Sequence, residues 1–281
     1  MKRYRILRFD FDTRATLLAK EIQGDWAPEV RRLHEANKES LKVSLVAEYG
    51  SSDIDRKLTN FIDLGPKPLS ILAFHNKFLS QIRASFIVGG YYPALTGACA
   101  LGERILNHLV RLLRQDYVKT PEYKKIWNKD SFDNWTIAIE VLESWKVLLP
   151  DVAETFRKLS DLRRRAIHFD PGTDQDDRPL ALQVIRLLTE IIQGQFGAWG
   201  SQPWMLILPG EPYIAKAAEE VPFVKRVYLP SCKLVGPRHQ LEIRDGRFLV
   251  HDEFPYEDRE VSDEEFGQLR KQFTQAAPSS P

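Results

Sequence analysis

Residues 71–113 read ILAFHNKFLSQIRASFIVGGYYPALTGACALGERILNHLVRLL, and the spacing of their apolar side chains decides the fold class. Ile71, Phe74, Phe78, Ile82 and Phe86 recur every three or four residues, which places them on one face of a helix, and the run stops at Gly89-Gly90. A second helix starts near Pro93 and aligns Leu95, Cys99, Leu106, Leu109 and Leu113. Moving outward, a lysine-rich connection from Gln115 to Asp130 leads to a third helix with Trp135, Ile139, Leu142 and Trp145, ending at Pro150. A fourth opens with Asp151 as N-cap and Glu154 three residues on, a variant of the capping box, and ends at Phe169-Asp170-Pro171-Gly172. The fifth, from Pro179, carries Leu182, Ile185, Leu188, Ile192 and Phe196. Helices with one apolar stripe and short joins bury those stripes against each other, so the expected class is mainly α, an antiparallel helical bundle.

Toward both ends the texture changes. Tyr4 to Phe11 alternates, with Tyr4, Ile6, Phe9 and Phe11 as the apolar set among Arg3, Arg5, Arg8 and Asp10, and reads as a half-buried strand. A helix is expected from about Ala15 to Asn37, with breaks at Gly50-Ser51-Ser52 and Gly65-Pro66-Lys67-Pro68. After Gly200, strands are expected at Trp204 to Leu208, Val224 to Leu229, Leu241 to Ile243 and Phe248 to His251, with a short helix from about Tyr213 to Glu220. The expected organisation is a strand-helix segment over 1–66, the bundle over 67–200, and a small α/β segment over 201–281 with a disordered tail from Ala276. The two terminal segments are expected to share one small sheet.

Forty Lys and Arg against 39 Asp and Glu leave a net charge of +1, so any basic surface is local rather than global. With 43% hydrophobic and 28% charged residues the chain has the composition of an ordinary globular protein. Two cysteines, Cys99 and Cys232, cannot build a disulfide framework or a cysteine-based zinc site and fit a reducing compartment, the cytoplasm. The opening MKRYRILRFDFDT lacks the apolar core of a secretion signal, and no stretch approaches the ~20 apolar residues of a membrane span, so no membrane partner is expected.

The chemistry concentrates at the end of the fourth helix, Leu162-Arg163-Arg164-Arg165-Ala166-Ile167-His168-Phe169. At 100° per residue Arg163 falls in line with Val152, Phe156, Leu159 and Ile167, inside the apolar stripe, where a guanidinium needs a partner. Glu103, at the rim of the second helix's stripe, is that partner. Two readings follow: a structural pair pinning two helices, or an arginine held ready for a phosphate. His168 sits in the last turn, where helix carbonyls favour a cation and an imidazole can exchange a proton near neutrality. Arg163 and His168 diverge by 140° on an unbroken helix, so they meet one phosphate only if the helix end unwinds or a second chain completes the site.

The run Gly89-Gly90-Tyr91-Tyr92-Pro93-Ala94 through Glu103, followed by helices and then Arg163-x4-His168, resembles the HEPN domain family (higher eukaryote and prokaryote nucleotide-binding), whose signature is Arg, four to six residues, His. The resemblance covers roughly Leu69 to Trp199. One position departs from it: Arg164 follows the arginine, where active members commonly carry Asn, Asp or His. The resemblance implies a HEPN-like bundle acting as a metal-independent endoribonuclease without cofactor, its cleft formed between two copies as a homodimer. Carried over by motif position, Arg163 polarises the scissile phosphate, His168 acts on the 2′-hydroxyl or the leaving 5′-oxygen, and Glu103 orients Arg163. Arg164, Arg165 and Asn107 are the expected RNA contacts. A toxin-antitoxin or phage-defence role, with a regulatory or antitoxin partner, is implied in the same way. The competing expectation is an inactive HEPN-like module for RNA binding or dimerisation.

Other signals are weaker. Asp10-Phe11-Asp12 after a strand is similar to the nucleophile motif of haloacid-dehalogenase phosphatases, but its strand is studded with arginine and Thr13 comes one place early. His34, His75, His108, His239 and His251 show no paired metal-ligand spacing. The connection from Lys119 to Lys129, with Tyr123 and Trp127 among Lys124 and Lys125, reads either as a solvated loop or as a surface that holds RNA by phosphate contacts and stacking.

Overall fold

The structure is a computed structural model, and it describes the chain except residues 8–9, 133, 168–176, 200–201, 246 and 277–281. It is mainly helical with small antiparallel sheets and divides into two compact units. One comprises residues 10–196; the other joins residues 1–9 to 197–281.

The larger unit contains α1 (Arg14–Ala19), α2 (Pro28–Tyr49), α3 (Ile54–Asp63), α4 (Ala73–Ile87), α5 (Tyr91–Leu113), α6 (Trp135–Ser144), α7 (Pro150–Ile167) and α8 (Asp177–Phe196). Helix α5 is its axis, packing on α4, α6, α7 and α8. That explains why Leu95, Ala98, Leu101, Ile105, Leu109 and Val110 are all buried: the apolar surface of α5 extends well beyond one stripe. Close approach is possible because Gly102 has no side chain. A Cβ there would stand 2.8 Å from the Trp135 indole and 3.0 Å from Leu159. Helix α4 ends where Gly89 adopts φ +92°. The buried Asn60 of α3 donates to the Phe86 and Ile87 carbonyls at that end, the former also accepting from Gly89 N–H.

Several expectations are corrected here. The single helix over 15–37 is two helices, because Pro28 cannot sit in a helix interior and instead opens α2, which runs on to Tyr49. Helices α1 to α3 belong to the helical unit rather than to a separate segment over 1–66, since α3 packs on α4 and buries Phe61 and Leu64. Asp151 is the second residue of α7, not its N-cap, because Pro150 occupies the first position.

In the smaller unit, β1 (Arg3–Ile6) lies inside a four-stranded antiparallel sheet with β2 (Met205–Leu208), β3 (Glu211–Ile214) and β4 (Cys232–Val235), in the order β2-β3-β1-β4. The two chain ends therefore do share a sheet. A hairpin of β5 (Gln240–Arg244) and β6 (Arg247–His251) follows, then α9 (Asp263–Ala276). Tyr213, Val235, Val261 and Phe266 form the buried cluster.

The face of β1 inverts its apolar pattern: Arg3 and Arg5 are buried beside Ile6. Each has a carboxylate, Asp263 at 2.7 Å from Arg3 and Glu211 at 3.0 Å from Arg5, and Glu211 also holds Arg270 of α9. Burial is tolerated because the charges are paired. The helix expected over 213–220 is strand β3 plus a 3-10 turn at Lys216–Ala218, since Pro209-Gly210 reverses the chain and Gly210 takes φ +76°. The strand expected over 224–229 is a π-helical turn at Val224–Tyr228 followed by a 3-10 turn, with Val224, Val227 and Tyr228 buried at helical spacing. Residue Ala276 closes α9, and the rest of the expected tail lies outside the described residues.

Candidate functional site

Helices α4 and α5 border an open groove of about 1050 Å³ in the helical unit. Pro93, Gly97 and Ala100 of α5 and Phe78 and Ile82 of α4 are among the residues that line it. Further along α5 come Arg104, His108 and Arg111, at i, i+4 and i+7, so they fall on one face and span roughly 10 Å of helix. Arg114 continues the line, and α7 contributes Arg163. Among the described lining residues, four arginines face two carboxylates, Glu103 and Asp130. The groove is thus locally cationic in a chain of nearly zero net charge, a setting that concentrates an anion.

The Arg163 and Glu103 pair exists. Arg163 Nη2 donates to Glu103 Oε2 at 2.7 Å, the side chains being 22% and 27% exposed. Trp135 Nε1 donates to the same carboxylate oxygen at 3.3 Å, and the Arg163 guanidinium lies over the Trp135 ring at 5.4 Å from its centroid. Three helices therefore fix this arginine: α5 through Glu103, α6 through Trp135, and α7 through its own backbone. Its Nε is buried without a hydrogen-bond partner among the described residues. A fixed guanidinium lining a groove is suited to a phosphate oxygen.

The other anticipated residues divide. Asn107 lines the groove, but its side chain is engaged by backbone: Nδ2 donates to Glu103 O at 3.0 Å and Oδ1 accepts from Phe132 N at 2.7 Å. It anchors the segment entering α6. Arg164 is exposed and ion-paired with Asp161, and Arg165 is exposed; among the described groove residues α7 supplies Arg163 and neither of these. His168 lies outside the described residues, so the structure does not place it beside Arg163.

Arg104, His108, Arg111 and Arg114 were not anticipated. Their signal was present in the sequence, as three arginines and a histidine repeating every three or four residues just off the apolar stripe of α5. His108 is half-buried against Phe74, ring centroids 5.2 Å apart. Burial, and secondarily Arg111, hold its imidazole below the ordinary histidine value, so it is neutral at pH 7. Arg104 rests on the Phe78 ring at 5.3 Å. Cys99, deeper in α5, has its thiol pushed up by burial to about 11 and is no nucleophile. Among the described residues, no three His, Cys, Asp or Glu side chains converge as a metal site requires, and no helix is long and apolar enough to cross a membrane.

Comparison with protein-family models, with curated proteins and with solved structures returns no match to this chain.

Proposed function

We propose that the α4/α5 groove binds RNA and that the chain is a HEPN-like, metal-independent endoribonuclease. The observation that supports this best is the row Arg104, His108, Arg111 and Arg114 leading along one helix, with Arg163 in the same groove. A row of that length suits a polyanionic strand better than a single phosphate. RNA supplies its own nucleophile. Its 2′-oxygen attacks the adjacent phosphorus, the bond to the 5′-oxygen breaks, and the products carry a 2′,3′-cyclic phosphate and a 5′-hydroxyl. The 2′-hydroxyl loses a proton and the departing 5′-oxygen gains one. Arg163 stabilises charge on the phosphorane, and His168 moves the proton, the roles its Arg-x4-His spacing implies; such steps are typically worth about 10² to 10⁴-fold each. Two copies pairing would bring Arg163 of one to His168 of the other. In the cytoplasm such an enzyme would act in a toxin-antitoxin or phage-defence setting under a regulatory partner.

A second reading is favoured by one specific contact set: Arg163 is already paired with Glu103 and stacked on Trp135, and Arg164 occupies the position after it. That arrangement also serves a non-catalytic module for RNA binding or dimerisation. Incubating the purified protein with mixed RNA in EDTA and reading product ends separates the two. New cyclic-phosphate ends support the nuclease; RNA bound but intact supports the RNA-binding module; neither binding nor cleavage removes both of these and leaves dimerisation to a sedimentation measurement.

A further inference from the structure

The segment between α5 and α6 contains an exposed aromatic that the groove alone does not employ. It is folded: 3-10 turns form at Arg114–Tyr117 and Pro121–Lys125, and Ile126 is fully buried. Tyr117 stacks on Trp145 of α6 with centroids 4.5 Å apart and planes within 4°, and the Trp145 indole donates to Thr120 Oγ1 at 3.0 Å. The backbone of Trp127 is held at both ends. Its N–H donates to Tyr123 O at 2.9 Å, and its carbonyl accepts from Arg114 Nη1 at 3.3 Å. The same Arg114 nitrogen reaches Lys129 O at 2.9 Å. Yet the Trp127 side chain is 57% exposed. An exposed ring on a pinned backbone offers a flat apolar face at little further ordering cost to whatever stacks on it.

Its surroundings point to what covers it. Arg114 lines the groove, as do Asp130 and Ser131, and Trp127 adjoins it through the hydrogen bond from Arg114 to its carbonyl. Lys119, Lys124, Lys125 and Lys129 are exposed on the same segment, against the exposed carboxylates Asp116 and Asp130 and the half-buried Glu122. An aromatic face beside a basic track is the arrangement that holds an unpaired nucleotide, the ring stacking on the base and the cations meeting the backbone. A protein partner meeting this surface would find lysines more than apolar side chains.

We infer that Trp127 is a base-stacking subsite for an unpaired nucleotide of RNA leaving the arginine-lined groove at Arg114. The inference rests on the reading of that groove as RNA-binding. It makes the groove selective for single-stranded over duplex RNA, because the bases inside a duplex are already stacked on both faces.

The test uses the full chain and a labelled, unstructured RNA of 12 nucleotides carrying 2′-O-methyl groups, which blocks attack by the 2′-oxygen, read by fluorescence anisotropy across a salt series. Trp127→Ala is expected to weaken binding about tenfold, Trp127→Phe to retain most of the affinity, and both to keep the wild-type salt slope, since stacking neutralises no phosphate. Arg111→Ala is expected to lower the slope by about 0.7 instead. Duplex RNA of the same length should bind more weakly and be indifferent to Trp127→Ala. If wild-type protein binds single strands with a salt-dependent affinity that Trp127→Ala leaves unchanged, the subsite is overturned and the groove reading stands. If wild-type protein shows no salt-dependent RNA binding, both are overturned. A change in self-association without a change in RNA affinity also overturns the subsite and assigns Trp127 to a protein contact.

Discussion

Removing Glu103 is the perturbation whose consequences the structure specifies most fully. Its Oε2 accepts from Arg163 at 2.7 Å and from the Trp135 indole at 3.3 Å, so Glu103→Ala leaves one guanidinium and one N–H without their acceptor. Fully exposed pairs contribute roughly 0.2–1 kcal/mol, and breaking a buried pair costs about 3–5 kcal/mol. With the two side chains 22% and 27% exposed, this pair sits between those limits, and the expected loss is about 2 kcal/mol. Glu103→Gln should cost less, because an amide oxygen still accepts from Trp135. Arg163→Ala removes the same ion pair and the stacking on Trp135, itself worth about 0.5–1 kcal/mol, but strands a carboxylate that remains partly hydrated. The double variant should therefore recover about 1–2 kcal/mol relative to the sum of the singles. Urea unfolding followed by far-ultraviolet circular dichroism measures all four stabilities, with unchanged slopes as the check that compactness is preserved. A coupling energy below about 0.5 kcal/mol would show that the 2.7 Å contact does not order Arg163 in solution, and the positioning argument would fail.

Three further outcomes follow from the packing. Gly102→Ala places a methyl 2.8 Å from the Trp135 indole and should lower stability by about 1–3 kcal/mol; an unchanged melting temperature would mean that α5, α6 and α7 are not tightly packed there. Glu211→Gln leaves Arg5 and Arg270 buried around a neutral group and should destabilise the smaller unit by about 3–5 kcal/mol in urea unfolding, whereas a loss under about 1 kcal/mol would mean the cluster is solvated. Burial, followed by the charge of His108, lowers His75 to about 3 from 6.5, and burial followed by Arg270 lowers His239 to about 4. Below pH 6.5 the unfolded chain takes up protons that the folded one refuses, so their contribution is complete above that pH and is lost as pH falls toward those folded values. Unfolding free energies measured between about pH 7 and 5 should decline on acidification, less steeply in His75→Gln, and a flat profile in the wild type would refute the neutral burial of both histidines.

The helices from residue 71 to 196 were legible because each carries an apolar period with end signals, Gly89 after α4 and Pro150 at the start of α7. The pairing of Arg163 with Glu103 was legible for the same reason, since a charge inside an apolar stripe requires a neighbouring carboxylate. The smaller unit was less so. Apolar runs of five or six residues carry no unambiguous period, and Val224–Tyr228 is buried through tertiary packing as a π-helical turn rather than as a strand. Strand β1 is present and Ile6 is buried as its pattern requires, but it ends at Ile6 rather than Phe11, and its buried Arg3 and Arg5 were not legible, because arginines with partly buried partners 260 and 206 positions away in sequence are indistinguishable from surface arginines when read locally. Helix α9 carries no legible stripe, since among its described side chains Phe266 and Arg270 are the buried ones and one of them is charged. In the groove, the backbone partners of Asn107 are not legible from spacing, because an amide's partners depend on which segment passes beside it, and Arg104, Arg111 and Arg114 of α5 are spaced as any solvated helix face is.

Whether Arg163 is a phosphate-binding group of an RNA-cleaving site is read from the ends of the products. Wild type, Arg163→Lys and His168→Ala would each be incubated with the same RNA in EDTA, after unfolding curves have established that all three are folded. The account predicts 2′,3′-cyclic phosphate ends from wild type and their loss in both variants, since lysine keeps the charge but not the planar two-donor contact. Equal cleavage by wild type and Arg163→Lys, or RNA left intact by wild type, would contradict it.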